Sequence, residues 1–490
     1  SETVSVSFDI DQMASYDDLG ATGHKSAYVM EAGDYTVYVG NSVRNTAVAG
    51  KHRESALRVT EQLSELCEPT VSFDRMTFDG TETVGTKSAF RSDLLHKSAA
   101  AKQTVLREPL QFAETLRGTA TVDEFLAQMS DEELADIAVM TTAAHTNTCA
   151  WGGSAELVEK YGIPLAYTCD GPAGIRISTK GTGLPCATAL ACTWNPDAAA
   201  ALGDVIGREC AATDIDVWLA PGVNLHRFPL CGRNFEYYAE DPYLSGVLAA
   251  ELIRGVEAHG VACSIKHFVG NEKETNRSSI DTRVSERALR ELYLVPFQMG
   301  VDAGVSTVMT SYNLLNGTET AENAELIRGI LRGEWGFDGL VTTDWSNNST
   351  LSRELIAGNN VHSSAKAEHL AEKYAELLSA VGDGTVSRSL LLENAVYVMA
   401  LLKETYSAER LVNPAIWTVK AAGASRFEAE DYTAKHGYAR PEKSGSRTMM
   451  SYVRGNGNHV PYLIYTLGVE KAGFYILEAT YANASADPNA

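Results

Sequence analysis

The stretch GLVTTDW, residues 339–345, joins an apolar run to a charged and an aromatic residue. Leu340 and Val341 are typical of a buried parallel strand, and Asp344 and Trp345 follow where such a strand leaves the core. In a parallel barrel, the residues that meet ligands lie at this end of the strands. The stretch therefore predicts a parallel α/β fold with a polar site at its strand ends.

The same pattern recurs along the preceding chain. Helix-like amphipathic stretches separate four further apolar runs: PLAYTCD (164–170), DVWLAP (216–221), VACSIKHF (261–268) and STVMTSYN (306–313). Strands that alternate with helices indicate βα units, and about six units within residues 122–407 favour a (β/α)8 barrel. We therefore predict an α/β fold, a TIM-like barrel flanked by partial β-sandwich segments.

The flanking segments differ from the barrel in pattern. Residues 1–75 alternate apolar and polar residues in SVSFDI and YTVYVG, which predicts strands, and residues 425–490 alternate in the same way. Residues 76–121 form a predicted connector with a helical stretch, AKQTVLREPLQFAETLRG, and residues 408–424 form a predicted linker. Two or three strands are too few for an independent sheet, so both flanking segments are expected to be parts of domains.

Composition excludes several classes of partner. The 490 residues carry a formal net charge of −22, which repels nucleic acid and anionic membranes, and no apolar run is long enough to span a bilayer. The eight cysteines form no CxxC pair, which favours free thiols and a reducing compartment. The N-terminus lacks the basic and apolar regions of a signal peptide, but localisation stays open between bacterial cytoplasm, which we favour, and secretion.

The predicted strand ends bring polar groups to one barrel mouth: Asp170, Lys266 with His267, Tyr312, and Asp344 with Trp345. Burying several such groups is costly unless they serve a ligand. A carboxylate nucleophile, donors for hydroxyl groups and a flat aromatic ring indicate glycoside hydrolysis. Arg233 and the other cationic groups are expected to keep Asp344 ionised. Histidine spacing does not indicate a metal site, and we expect no cofactor.

Five motifs resemble the successive motifs of glycoside hydrolase family 3: DGPAGIR (170–176), GRNFEYYAEDPYLSG (232–246), KHFVGNEKETNR (266–277), MTSYNLLNG (309–317) and GEWGFDGLVTTDW (333–345). The resemblance implies a retaining mechanism with Asp344 as the nucleophile. It implies that four residues hold the sugar: Asp170, Arg233, Lys266 and His267. It also implies that Tyr312 lies near the nucleophile, that Trp345 flanks the bound sugar, and that Glu274 and Arg277 support the site. The Asp-Gly-Pro form at 170–172 resembles the family's β-glucosidases rather than its β-xylosidases, so β-glucosides or oligosaccharides are the expected substrates.

The domain order departs from the usual pattern of this family. Residues 1–75 resemble the closing strands of a fibronectin-III-like domain, and residues 425–490 resemble the start of a family 6 carbohydrate-binding module. The resemblance implies a circularly permuted order, with the α/β domain that carries the acid/base expected upstream. Asn271 replaces the histidine that N-acetylglucosaminidases of the family use. We therefore expect this chain to bind sugar and form a glycosyl-enzyme slowly, with full turnover requiring the upstream domain.

Two alternatives remain open at this point. Lys266 could form a Schiff base in a barrel aldolase, because a desolvated lysine can act as a nucleophile. The chain could instead be a non-catalytic glycan-binding fragment. Oligomerisation is also left open.

Overall fold

The computed structural model describes residues 7–77, 80–87, 91–142, 149–177 and 181–412, together with the backbone of short strands between residues 416 and 469. Within these ranges the α-helices are α1 (Phe112–Leu116), α2 (Val122–Ala127), α3 (Asp131–Asp136), α4 (Ala155–Tyr161), α5 (Ala187–Ala191), α6 (Pro196–Ala212), α7 (Pro242–Glu257), α8 (Glu286–Ala288), α9 (Val295–Asp302), α10 (Leu351–Ala357), α11 (Ala367–Gly382), α12 (Arg388–Lys403) and α13 (Tyr406–Val412). None of these helices is both long and apolar enough to cross a bilayer.

The N-terminal part of the chain forms strands β1 (Ser15–Asp17), β2 (Ala27–Met30), β3 (Gly33–Ser42), β4 (Asn45–Glu54), β5 (Arg58–Gln62), β6 (Phe73–Thr77) and β7 (Gly80–Val84). The YTVYVG stretch lies in β3 as expected. The expected SVSFDI strand is wrong where the structure describes it, because residues 7–9 are outside any strand and Ile10 begins a 3-10 helix capped by the Asp9 side chain. In the connector only Phe112–Leu116 of the predicted helical stretch is helical.

The central sheet consists of seven strands in the order β17-β14-β12-β11-β10-β9-β8. Their bounds are β8 (Thr141–Thr142), β9 (Cys149–Trp151), β10 (Ala166–Asp170), β11 (Val217–Leu219), β12 (Ala262–Phe268), β14 (Thr307–Thr310) and β17 (Leu340–Thr342). Small strands β13 (Asp281–Thr282), β15 (Leu314–Leu315) and β16 (Thr318–Glu319) form a separate sheet in the loops. The five predicted strands coincide with β10, β11, β12, β14 and β17.

The sheet is TIM-barrel-like but is not a uniform repeat of parallel strands. Strands β10, β11, β12, β14 and β17 run parallel to one another, whereas β9 runs antiparallel to β8 and β10. Only residues 143–148 connect β8 to β9, and a parallel crossover needs a dozen residues or more. The expectation of eight parallel strands is therefore wrong at β9, and the coarser α/β barrel-like architecture holds.

Two isolated parallel bridges lie at the edges of this sheet. Val361 pairs with Thr342 of β17, and the next residue, His362, pairs with Val139 just before β8. The segment at 361–362 thus pairs with β17 on one side and with the chain just before β8 on the other. The apolar core fills the inside of the sheet and the space between the sheet and its helices, with Trp218, Ile265, Val308 and Val341 among its buried residues.

Local sequence explains the long helices that cover the sheet. Asn195 and Asp241 cap α6 and α7 by accepting backbone N–H groups, and each helix begins with a proline. The two helices cross closely because glycines face each other there. A Cβ at Gly203 would lie 2.3 Å from the carbonyl oxygen of Leu252, so no larger residue fits.

A buried charged cluster joins the N-terminal strands to the barrel. Arg290 donates to Glu286 at 2.9 Å and to Glu334 at 2.7 Å, and the Tyr16 hydroxyl donates to Glu286 at 2.8 Å. The backbone N–H of Leu66 also donates to Glu286. These contacts attach the N-terminal strands to the segments around Glu286 and Glu334.

The C-terminal strands are described by their backbone alone. They are β18 (Ile416–Val419), β19 (Ala434–His436), β20 (Ala439–Ser444), β21 (Arg447–Tyr452), β22 (Tyr462–Ile464) and β23 (Thr466–Val469). They pair as β18 with β23, β19 with β22, and β20 with β21. The remaining residues of the segment compared above with a carbohydrate-binding module lie outside the described residues.

Candidate active site

Asp170 and Lys266 lie at the ends of β10 and β12 and form an ion pair. The Lys266 Nζ donates to Asp170 Oδ1 at 2.7 Å, and Arg176 Nη1 lies 3.2 Å from Asp170 Oδ2. Burial acts to raise the pKa of Asp170, but the charges of Lys266 and Arg176 outweigh it and hold that pKa below its ordinary value. Asp170 is therefore an ionised acceptor next to a buried ammonium donor.

The turn after Asp170 is fixed by its glycine. Gly171 has a φ of +123°, and a Cβ there would lie 1.9 Å from the carbonyl oxygen of Gly174. The Trp218 indole N–H donates to the Gly171 carbonyl at 3.2 Å. The Asp-Gly-Pro sequence thus folds into a tight turn that only glycine permits, and the turn orients the Asp170 carboxylate.

Asp344 follows β17 and is buried, with 7% of its surface exposed. Its Oδ1 accepts the Trp345 backbone N–H at 2.7 Å, while Oδ2 lies 3.5 Å from His267 Nε2 and 3.9 Å from Arg233 Nη1. Among the described residues, neither Asp344 Oδ2 nor His267 Nε2 has a hydrogen-bond partner. The two atoms therefore present free hydrogen-bonding capacity at the same place.

Burial dominates the electrostatics of Asp344. It raises the pKa of this carboxyl, and Arg233 and Lys266 oppose the rise without cancelling it. The cationic neighbours favour the ionised form, in the direction that the sequence predicts, but burial has the larger effect on the pKa. Arg233 is itself held by an ion pair with the buried Glu236.

Tyr312 and Trp345 are joined by a hydrogen bond beside the nucleophile candidate. The Tyr312 hydroxyl donates to the Trp345 carbonyl at 2.9 Å, and the Arg277 guanidinium lies 4.2 Å from the centroid of the Tyr312 ring. Arg277 also pairs with Glu274 at 2.7 Å. Contacts around Asp344 thus connect seven of the nine residues selected from the sequence, and Lys266, which precedes His267 in the chain, adds its ion pair with Asp170.

The structure adds residues to this network that the sequence analysis did not select. Arg176 is the last residue of the DGPAGIR motif and could have been found from it. Tyr237, which contacts His267, likewise lies within the GRNFEYYAEDPYLSG motif, whereas Asn224 contacts His267 through the fold alone and no spacing in the sequence indicates it. Glu272 is also buried there; burial raises its pKa to about 7, and its Oε1 lies 3.5 Å from Asn224 Nδ2.

The described residues do not suggest a metal centre. In the part of the chain that the structure describes, no three His, Cys, Asp or Glu side chains are grouped so that they could hold a metal ion. The free polar atoms of the site are instead acceptors and donors suited to hydroxyl groups.

Comparison with known proteins identifies a matching family and similar relatives. Residues 121–399 match the profile of the glycosyl hydrolase family 3 N-terminal domain. The chain is 37% identical over 394 residues to β-glucosidase A of Butyrivibrio fibrisolvens, a match that covers 74% of this chain and 47% of that protein. It is 34% identical over 436 residues to a β-glucosidase of Ruminococcus albus, covering 84% of this chain and 45% of the relative.

The solved structures that resemble this chain are also described as β-glucosidases. The structure of a β-glucosidase from Paenibacillus barengoltzii matches with a TM-score of 0.75 and 37% identity, covering 85% of this chain and 49% of that one. The structure of β-glucosidase 3B from Thermotoga neapolitana in complex with glucose matches with a TM-score of 0.56 and 36% identity, over 60% of this chain and 44% of that one. The chain thus spans about half the length of the curated relatives that it matches.

Proposed function

This chain belongs to glycosyl hydrolase family 3, and from that premise we propose that it carries the glucose subsite and nucleophile of a retaining, exo-acting β-glucosidase. The observation that supports this most strongly is the position of Asp344. Its buried carboxylate ends a barrel strand and lies 3.5 Å from His267 and 3.9 Å from Arg233, with one oxygen free for a ligand. The matched relatives are named β-glucosidases, which supports glucose as the sugar.

In this proposal Asp344 attacks the anomeric carbon and displaces the aglycone, which takes a proton from the acid/base. Water then hydrolyses the covalent glycosyl-enzyme, releasing glucose and the Asp344 carboxylate. Desolvation makes the carboxylate a stronger nucleophile, and Arg233 stabilises its negative charge before attack and again when the ester bond breaks. Asp170 and Lys266 form an acceptor and a donor 2.7 Å apart, a spacing that suits neighbouring sugar hydroxyls. The Trp345 indole stacks on the sugar ring beside the nucleophile.

Retaining hydrolysis needs a second carboxyl group about 5–5.5 Å from the nucleophile. The nearby described carboxylates have other partners: Glu236 pairs with Arg233, and Glu274 pairs with Arg277. Glu272 Oε1 lies 3.5 Å from Asn224 Nδ2. We therefore propose that the acid/base comes from a region of the parent protein outside this chain, in the α/β domain expected upstream.

We also propose that residues 361–362 close the sheet into a complete barrel ring, because they pair with Thr342 of β17 and with Val139, two residues before β8. The flanking residues 1–75 and 425–490 are proposed to be parts of a fibronectin-III-like domain and of a carbohydrate-binding module. Ring closure would give the strand ends the fixed spacing that a sugar subsite needs.

A mechanism-based inhibitor tests the nucleophile without requiring the acid. We expect 2,4-dinitrophenyl 2-deoxy-2-fluoro-β-glucoside to label this chain once, on the peptide that contains Asp344, because dinitrophenolate leaves without protonation. Asp344→Asn should abolish labelling. Asp338→Asn, an exposed carboxylate on the same βα unit, should leave it unchanged. A label on another residue, or none, would refute the assignment.

Comparing an activated with an unactivated substrate tests whether the general acid lies within this chain. The isolated chain should release dinitrophenol from the activated aryl glucoside, whereas cellobiose, whose leaving group needs a proton, should turn over far more slowly. Cellobiose hydrolysis as fast as that of complete relatives would show that the acid lies within this chain.

The two alternatives are tested by different reagents. A Schiff-base aldolase would be labelled at Lys266 by borohydride in the presence of a carbonyl substrate. We expect no such labelling, because the Lys266 amine donates to Asp170 and a Schiff base needs its free lone pair. A non-catalytic glycan-binding fragment would bind glucose equally well as the wild type and as Asp344→Asn, without covalent labelling of either protein.

A further inference from the structure

Asn224 holds the backbone of His267 through two hydrogen bonds. Its Nδ2 donates to the His267 carbonyl at 3.0 Å, and its Oδ1 accepts the His267 backbone N–H at 2.8 Å. A peptide N–H can only donate and a carbonyl can only accept, so these contacts fix which end of the amide is the oxygen. That same Oδ1 lies 3.2 Å from His267 Nδ1.

The His267 ring is neutral. It is fully buried, and burial together with the charges of Arg233 and Lys266 holds its pKa well below the ordinary value. A neutral imidazole carries one proton, on either Nδ1 or Nε2. Since Asn224 Oδ1 cannot donate, its contact with Nδ1 is a hydrogen bond only if Nδ1 carries that proton.

Tyr237 is compatible with this assignment. Its hydroxyl oxygen lies 3.2 Å from His267 Nδ1 and 3.5 Å from the Asn271 carbonyl oxygen. The hydroxyl can therefore share the Nδ1 proton as an acceptor while its own hydrogen points at Asn271. Every group that faces Nδ1 is then satisfied without a proton on Nε2.

The opposite ring nitrogen faces the candidate nucleophile. With the proton on Nδ1, Nε2 presents a lone pair 3.5 Å from Asp344 Oδ2, and both atoms are buried without partners among the described residues. Two acceptors facing each other call for a donor from outside, and a hydroxyl group supplies one. An ether oxygen or a fluorine atom in the same position does not.

We infer that Asn224 is a positioning residue that keeps the His267 proton on Nδ1, so that Nε2 accepts a hydrogen bond from one hydroxyl group of the bound sugar. The inference rests on the proposed function for its ligand, but the position of the proton can be measured without any ligand. It assigns the subsite a requirement for a free hydroxyl group at the sugar carbon that faces His267.

Nitrogen NMR on the full chain labelled with 15N-histidine tests the proton position. The chain has 11 histidines, so the His267 signals are assigned by their loss in His267→Gln. We expect Nε2 of the wild type to resonate as an unprotonated ring nitrogen and Nδ1 as a protonated one. In Asn224→Ala the two signals should move toward each other as both tautomers become populated.

Two further variants distinguish an effect on the position of the His267 proton from an effect on folding. Asn224→Asp retains an acceptor at Nδ1 and should keep the proton there, and Tyr237→Phe should also keep it because Asn224 remains. A protonated Nε2 in the wild type, or unchanged signals in Asn224→Ala, would overturn the inference. If Asn224→Ala fails to fold, the wild-type spectrum, assigned with His267→Gln, still tests the proton position.

Matched sugar analogues test the predicted direction of the hydrogen bond. Deoxy and deoxyfluoro glucoses, modified at one carbon at a time, are compared by calorimetry, because fluorine can weakly accept a hydrogen bond but cannot donate one. The sugar carbon that faces His267 is the one at which removing the hydroxyl weakens binding to the wild type but not to His267→Phe. At that carbon, the deoxy and the deoxyfluoro analogue should both bind the wild type about tenfold more weakly than glucose does. Near-normal binding of the fluoro analogue there would contradict the inference. Failure of glucose itself to bind would count against the proposed function and leave the NMR result intact.

Discussion

The Lys266 ammonium nitrogen lies 2.7 Å from Asp170 Oδ1, although strand β11 separates their two strands in the sheet. Only 4% of the Lys266 side chain is exposed, against 29% for Asp170. The buried ammonium is therefore compensated by a carboxylate that remains partly open to a ligand. An ion pair arranged in this way fixes both side chains at the mouth of the barrel before any sugar arrives.

Replacing Asp170 by Asn should weaken the site strongly. The change removes an ionised acceptor and leaves Lys266 buried without its counter-charge. We expect the second-order rate of Asp344 labelling by the fluoroglucoside to fall about a hundredfold, equivalent to about 3 kcal/mol. Asp34→Asn, which alters an exposed ion pair on β3, serves as the control and should change the rate less than twofold. Equal effects of the two variants would argue against a binding role for Asp170.

The pH dependence of labelling should report the buried state of Asp344. Nucleophilic attack needs the carboxylate, which is present above its folded-state pKa and lost as the pH falls through it. Because burial raises that pKa, the acid limb of the labelling rate should lie above pH 3.8, the ordinary value for an aspartate. An acid limb at or below this value would show that the cationic neighbours outweigh burial.

Removing one cationic neighbour of Asp344 should shift the pH of the acid limb in a predictable direction. Arg277 lowers the pKa of Asp344, so Arg277→Gln should shift the acid limb to higher pH. Arg208→Gln, on the exposed face of α6, should leave the limb in place. The position of the limb, rather than the maximal rate, is the quantity to compare, because Arg277 also contacts Tyr312.

The site was more predictable from sequence than the rest of the fold, for a physical reason. Apolar runs that end in polar groups are local signals, and they placed Asp170, Lys266 and Asp344 at the ends of β10, β12 and β17. The reversed direction of β9 depends on the length of its connection, and the hydrogen bond between Asn224 and His267 depends on packing between strands. Neither the strand direction nor this hydrogen bond produces a periodic pattern in the sequence.

Charge balance was equally hard to predict from residue types. Positive residues near Asp344 were evident in the sequence, but the depth of burial that outweighs them is a property of the folded chain. The cluster around Glu286 is a second case. Its partners Tyr16 and Arg290 are separated by more than half of the chain, and no local pattern connects them.

The Tyr312 hydroxyl should matter through the Trp345 backbone carbonyl that it holds. Tyr312→Phe removes the hydrogen bond to the Trp345 carbonyl but keeps the ring beneath Arg277. We expect glucose affinity to fall about fivefold, since one neutral hydrogen bond contributes about 1 kcal/mol. The measurement is calorimetric titration with glucose. Trp345→Ala should lose more affinity than Tyr312→Phe, and the reverse order would show that the hydroxyl contacts the sugar directly.

Arg290 should be critical for stability rather than for chemistry. Its side chain is 3% exposed and pairs with Glu286 and Glu334, so Arg290→Met leaves two carboxylates without their cation. Breaking a buried pair on one side costs about 3–5 kcal/mol, which urea denaturation followed by circular dichroism would measure. Arg254→Met, on the half-exposed surface of α7, is the matched control and should cost less than about 1 kcal/mol.

Because Tyr16 and Leu66 also bond to Glu286, the loss of stability in Arg290→Met should appear first as faster proteolysis of the N-terminal strands, while Asp344 labelling persists in the folded fraction. A variant as stable as the control would mean that Glu286 and Glu334 are held by their remaining hydrogen bonds.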